Sequence, residues 1–260
     1  MFKSFSADIR KYLKYSLFSA RSQLKSEVSN SYLNWIWWVL DPLCFMLIYT
    51  FIFGYVFGAS EQYFPVYIFI GLTIWDFFNK TLLGSIKIIK ANKPIVSKVY
   101  FPKYILILTR LWVNGFKMLI SFGIIVAMML FWRIPISFNI LFVPLILTAL
   151  ALLTFGCSCF LLHFGVYVED LSNVTAIVLR FVFYATGVFY NIESKIPQWG
   201  YLLNRANPVA FLMTSLRQCM LYQSSPDWKL LLAWLAIGLI LSVAGIRKIY
   251  KEENSYVKSI

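Results

Sequence analysis

The chain has 260 residues, 60% of them apolar and 19% aromatic, well above the roughly 45–50% apolar content of soluble domains. A water-soluble fold of this size has no interior large enough to hide that surface, so the solvent is a bilayer. The net charge is +13, and the cations cluster beside apolar runs as the positive-inside rule requires, which argues against a nucleic-acid partner.

The first thirty residues carry no short apolar core behind the basic start, so no signal peptide is expected. Phe2, Phe5, Ile9, Leu13, Leu17, Ala20, Leu24 and Val28 recur every three or four residues, while Arg10, Lys11, Lys14, Arg21 and Lys25 fall largely elsewhere on the wheel. This pattern predicts a basic amphipathic helix within residues 1–34, lying in the membrane interface. The remaining chain, 35–260, reads as the membrane domain.

Span one is expected over about 35–58, with Trp35, Trp37 and Trp38 at the headgroup boundary and Pro42 marking a kink or a later true start. Span two is expected over about 64–84. Asp76 and Lys80 stand four apart there and predict an intrahelical pair. The following loop holds Lys87, Lys90, Lys93, Lys98 and Lys103 with Pro94 and Pro102, leaving room for one short helix.

Span three is expected over about 104–132, interrupted by Arg110 and Lys117, and span four over about 140–163. Glu169 and Asp170 mark the next loop, span five follows at about 174–191, and span six at about 228–245. Between the last two, residues 192–226 mix apolar patches with Pro197, Pro208 and Pro226, which predicts short helices that dip into the outer leaflet without crossing. The fold class is therefore all-α and integral to the membrane, with six transmembrane helices. The segments assigned to the cytoplasm hold fifteen Lys and Arg against four outside, which places both termini in the cytosol.

Cys44, Cys157 and Cys159 lie in apolar runs where a thiol acts as a small hydrophobe, and with Cys219 they suggest no disulfide framework. His163 is the only histidine, so a His-rich or Cys-rich metal centre lacks a ligand set. No phosphate-loop motif, nucleophile elbow or zinc-protease pair occurs. Energy for transport would have to come from a partner or an ion. Arg110, Lys117 and Arg180 lie in or near apolar spans, where a charge costs at least ~2.5 kcal/mol on insertion scales. They should face a polar interior, a carboxylate or a lipid phosphate.

The order of features resembles one family, the type-2 ABC exporter permeases that carry O-antigen, capsule, teichoic acid and related glycans. The resemblance rests on Ser31-Tyr32-Leu33 before Trp35, Asp41-Pro42, Gly71-Leu72 with Trp75-Asp76-Phe77, and Val99-Tyr100-Phe101-Pro102-Lys103. It continues through Glu169-Asp170-Leu171, Gly187-Val188-Phe189-Tyr190, Asn207-Pro208 with Arg217, and Tyr250-Lys251-Glu252-Glu253-Asn254. Asn34, where the family has glycine, and the acidic Asp41 depart from the pattern.

The resemblance implies a homodimer in the bacterial plasma membrane with two ATPase subunits, which would bind the ATP and Mg; this chain needs no cofactor. It implies a coupling helix in the basic loop, carried by Lys87, Lys90, Lys93, Pro94, Ile95 and Lys98. It implies an outer gate over Ile192 to Gln223, with Pro197, Asn207, Pro208 and Arg217, and an aromatic path for sugars, for which Tyr49, Phe53, Trp75, Tyr184 and Phe189 are candidates. Arg110 and Arg180 would contact the phosphate of a lipid-linked polysaccharide. Competing readings are a type-2 permease for a small molecule or lipid, and a membrane-embedded polyprenyl-sugar transferase. For the transferase, Asp41, Asp76, Glu169 and Asp170 show no catalytic spacing.

Overall fold

The computed structural model describes residues 2–29, 33–58, 61–98 and 100–258, with only the backbone for 2–11, 254, 257 and 258. Helix α1 (Phe2–Ser29) precedes α2 (Asn34–Tyr49), which passes into a π-helical turn over Thr50–Val56. Pro42 lies inside α2 without ending it, so the irregularity falls later than the expected kink. A transmembrane helix tolerates the one bond that proline removes.

Tyr63, at φ 54°, turns the chain into α3 (Phe64–Ile86), which has Pro65 in its first turn where no N–H is needed. Two single-turn helices follow, α4 (Ile88–Ala91) and α5 (Lys93–Val96), and then α6 (Tyr104–Phe131). A 3-10 turn over Phe138–Phe142 leads into α7 (Val143–Tyr167), then α8 (Leu171–Ala185). Short helices α9 (Ile192–Lys195), α10 (Gly200–Ala206) and α11 (Pro208–Met220) precede the long α12 (Trp228–Lys258).

Among the described residues, five helical segments are long and apolar enough to cross a bilayer: Asn34–Val56, Phe64–Ile86, Tyr104–Phe131, Phe138–Tyr167 and Trp228–Glu253. The expected fifth span corrects to α8, whose 15 residues reach about 22 Å against a ~30 Å hydrocarbon core. Apolar sequence runs on past Ala185, but Gly187 takes φ 69° and the helix has already ended. The expected sixth span is longer than anticipated, because α12 continues beyond Gly245 to Lys258 with Ile246, Ile249 and Tyr256 buried.

α3 is the hub. It touches α2, α6, α7, α8 and α11, and two thirds of its apolar window is buried against 6% for α2. The largest pairing is α7 with α12. There a Cβ on Gly156 would lie 2.7 Å from Leu241 Cβ, so only glycine permits this approach, and Ser242 Oγ donates to Leu152 O at 2.9 Å across the seam.

Long-range contacts sort the loops into two ends. At the basic end Lys90 meets Glu169 at 3.4 Å and His163 Nδ1 lies 2.8 Å from the Tyr256 hydroxyl. At the opposite end Tyr222 donates to Glu61 at 3.2 Å and Asn139 Nδ2 to Gln223 O at 2.7 Å. Helix α1 leans along α6: Tyr15 meets Phe101 (centroids 6.0 Å apart) and Glu27 pairs with Lys117 at 2.6 Å. Among its described side chains Ser16 and Ala20 are buried, while Leu17 of the expected apolar stripe is exposed beside Phe18. Small residues let the two helices approach, and in a bilayer an outward Leu or Phe costs nothing.

Candidate functional site

At the basic end, Ile88, Ile89 and Val96 anchor α4 and α5 into a cluster with Phe101, Tyr104, Ile249 and Tyr256. That anchoring turns Lys87, Lys93, Pro94, Ile95 and Lys98 outward, all exposed, while Lys90 is half-buried beside Glu169. The result is a basic knob with an apolar tip at Ile95, which is 46% exposed.

Beneath the knob, Lys103 is buried, 3.9 Å from Glu253, and donates to Phe101 O at 3.1 Å. Burial pulls the Lys103 ammonium below the ordinary lysine value, and the Glu253 carboxylate opposes the shift. Tyr100 OH donates to the other Glu253 oxygen at 3.2 Å. This clasp joins the loop before α6 to the tail of α12. The sequence offered only a weak hint of it, a lone acidic pair in a basic tail.

At the opposite end α11 buries ten of its 13 residues, so it packs inside protein on every side. Asn207 shapes the bend before it: its side-chain oxygen accepts from Val209 N (3.1 Å) and Ala210 N (3.3 Å), and its Nδ2 donates to Thr186 Oγ1 at 3.1 Å. Pro208 occupies the first turn, and Pro197 lies exposed in the turn between α9 and α10. Asn204, which sequence reasoning did not single out, bridges Glu193 (2.9 Å) and Thr214 (3.1 Å).

Arg217 is the centre of this assembly. It donates through Nε to Tyr67 O (3.2 Å), through Nη1 to Gly187 O (3.0 Å) and through Nη2 to Val188 O (2.8 Å), with its guanidinium 3.4 Å from the Tyr67 ring centroid. One buried cation thus holds the hairpin after α8 against α3.

The five aromatic candidates join one run of rings. Phe189 lies 4.5 Å from Tyr49, 4.6 Å from Phe53 and 6.4 Å from Tyr184, and through Phe183 (5.1 Å) it connects to Trp75 (5.2 Å from Phe183). Trp75 and Phe189 are buried and back the run, Tyr49 and Phe53 are half-buried, and Tyr184 is 63% exposed. Phe45 extends it along α2, and Phe57 extends it past the π-helical turn.

The two arginines paired by expectation are not brought together. Arg110 lines a cavity with residues of α1, α3 and α6, whereas Arg180 is exposed on α8 and is absent from that lining. Among the described residues no group of three His, Cys, Asp or Glu could hold a metal.

Five long apolar helices, a shorter one and a buried helical hairpin at one end define a multi-pass α-helical membrane protein. The chain belongs to the ABC-2 type transporter family, whose model matches residues 19–221. It is similar to the O-antigen export system permease protein RfbA of Klebsiella pneumoniae, at 26% identity over 86% of each chain. It is also similar to the protein of that name from Myxococcus xanthus, at 25% over 92% of each. The polysialic acid transport protein KpsM of Escherichia coli matches at 24%, over 76% of this chain and 78% of its own.

Proposed function

We propose that this chain is the membrane-spanning permease subunit of an ABC transporter that exports a lipid-linked cell-surface polysaccharide. The carrying observation is similarity along 86–92% of both chains to O-antigen export permeases. The chain crosses the bacterial plasma membrane six times with both termini in the cytosol, α8 being the short crossing. The basic end faces inward, in keeping with the positive-inside rule.

Two copies work with two ATPase subunits that bind ATP and Mg, and the permease itself needs no cofactor. A second copy is supported by the apolar faces of α2 and its π-helical turn (Phe45, Ile48, Phe51) and of α8 (Val174, Ile177, Phe181), all exposed in the single chain. The knob of α4 and α5 seats on the ATPase, and its rigid anchoring lets a displacement there tilt α3 and α6. The aromatic run offers sugar rings flat apolar contact with adjustable register. The hairpin held by Arg217 forms the outer gate.

The test is purification of the tagged chain from cells that also express the ATPase encoded beside it. Co-purification in equal copy number, with ATP hydrolysis altered by lipid-linked glycan, is the expected result; a chain that retains no ATPase refutes the reading.

A further inference from the structure

Where α1, α2, α3 and α6 meet, two adjoining cavities of about 270 and 400 Å³ share Lys80, Asn114 and Lys117 in their walls. Their polar lining is unexpected between apolar helices. Two of the cations are already neutralised: Lys80 lies 2.5 Å from Asp76, and Lys117 lies 2.6 Å from Glu27. Those pairs alone call for no ligand.

Arg110 differs. Its Nε is buried and has no acceptor, and among the described residues its guanidinium makes no hydrogen bond or ion pair. The guanidinium packs flat against the backbone of Gly84, where any Cβ would collide with its Nε, Cζ and Nη2. Glycine at 84 therefore makes the space in which the arginine lies. Gln23, Asn79 and Asn114 add amide groups to the same wall. The unpaired guanidinium, whose fork matches two oxygens of one group, favours a multidentate oxyanion over a neutral ligand.

Depth supplies the class of that anion. Arg110 lies six residues into α6, about 9 Å along its axis. Trp37, in the wall of the first cavity, and Trp112, two residues on from Arg110, are exposed (59% and 39%), as indole rings are at a headgroup boundary. The anions available at that depth are lipid phosphates. We propose that the cavity between α1, α2, α3 and α6 is a binding site for the phosphate group of a membrane lipid. Arg110 is its principal ligand, Lys80 and Lys117 flank it, and Gly84 positions the guanidinium. The site does not depend on export, because it is built within one chain and needs no ATPase.

The full-length chain is purified in a maltoside detergent, which carries no phosphate, and binding is read by native mass spectrometry with three probes. These are phosphatidylglycerol, a polyprenyl phosphate and inorganic phosphate. At least one lipid is expected to bind, and R110Q is expected to weaken it about tenfold or more. Under the same conditions R110K should retain part of the binding and R133Q, at the opposite end, all of it. Stronger retention of phosphatidylglycerol makes the occupant a bulk lipid, and stronger retention of polyprenyl phosphate makes it an isoprenoid carrier; both support the site. G84A removes no charge yet displaces the guanidinium, so it should weaken the same lipid and carries the test should R110Q not fold. Equal lipid retention by the wild type, R110Q and G84A overturns the proposal, as does binding of inorganic phosphate alone.

Discussion

The Arg217 guanidinium donates to the Val188 carbonyl at 2.8 Å, across 29 residues of sequence. With Tyr67 O and Gly187 O it satisfies three backbone acceptors from one side chain. Removing it leaves the Gly187 and Val188 carbonyls without this donor, at about 1–3 kcal/mol each before relaxation, and strips the Tyr67 carbonyl of its second bond. R217M is therefore expected to lower stability by about 3 kcal/mol or more, and R217K to recover only a fraction, since an ammonium cannot span the three acceptors. Thermal unfolding of the detergent-solubilised chain checks both; an unchanged midpoint in R217M contradicts the clasp.

Lys103 and Glu253 form a second buried clasp at the basic end. Truncating either partner strands a charge, so K103M and E253Q should each destabilise by about 3 kcal/mol, while the double variant K103M/E253Q should lose less than either single change. A double-mutant cycle in the same unfolding assay reads this. Additive losses would show that the two charges do not depend on each other.

Within the aromatic run, burial separates packing from contact. Trp75 is 7% exposed, so W75A should cost about 3–5 kcal/mol of stability. Tyr184 is largely exposed, so Y184A should leave the unfolding midpoint in place and reduce surface glycan several-fold. Surface glycan quantified beside the unfolding midpoint separates the two. Full export by Y184A would remove that ring from the path.

Much of the fold was legible because lipid imposes long apolar runs, and α3, α6 and α7 begin and end within a few residues of the sequence reading. The length of α8 was not, because Val188, Phe189 and Tyr190 continue the apolar run and only Gly187 signals the break. The extension of α12 was hidden for the opposite reason. Its last turns are polar outside, and the buried Ile249 and Tyr256 show their purpose only against the loop before α6. The basic knob could be read from its lysines and Pro94. The acceptors of Arg217 could not, since they are carbonyls that no side chain announces. Glu27 likewise gave no hint that it would reach Lys117, 90 residues on.

If the exposed face of α4 and α5 seats on the ATPase, glycan export should depend on it, and cells lacking the chromosomal copy of this chain put that to the test. Complementation with the wild type should restore surface polysaccharide. The K93D/I95D variant, whose substitutions lie on the exposed tip and spare the anchoring Ile88, Ile89 and Val96, should reach the membrane in normal amount. It should display no polysaccharide and leave the lipid-linked polymer inside. Wild-type surface polysaccharide from that variant would show that the tip of α5 plays no part in coupling.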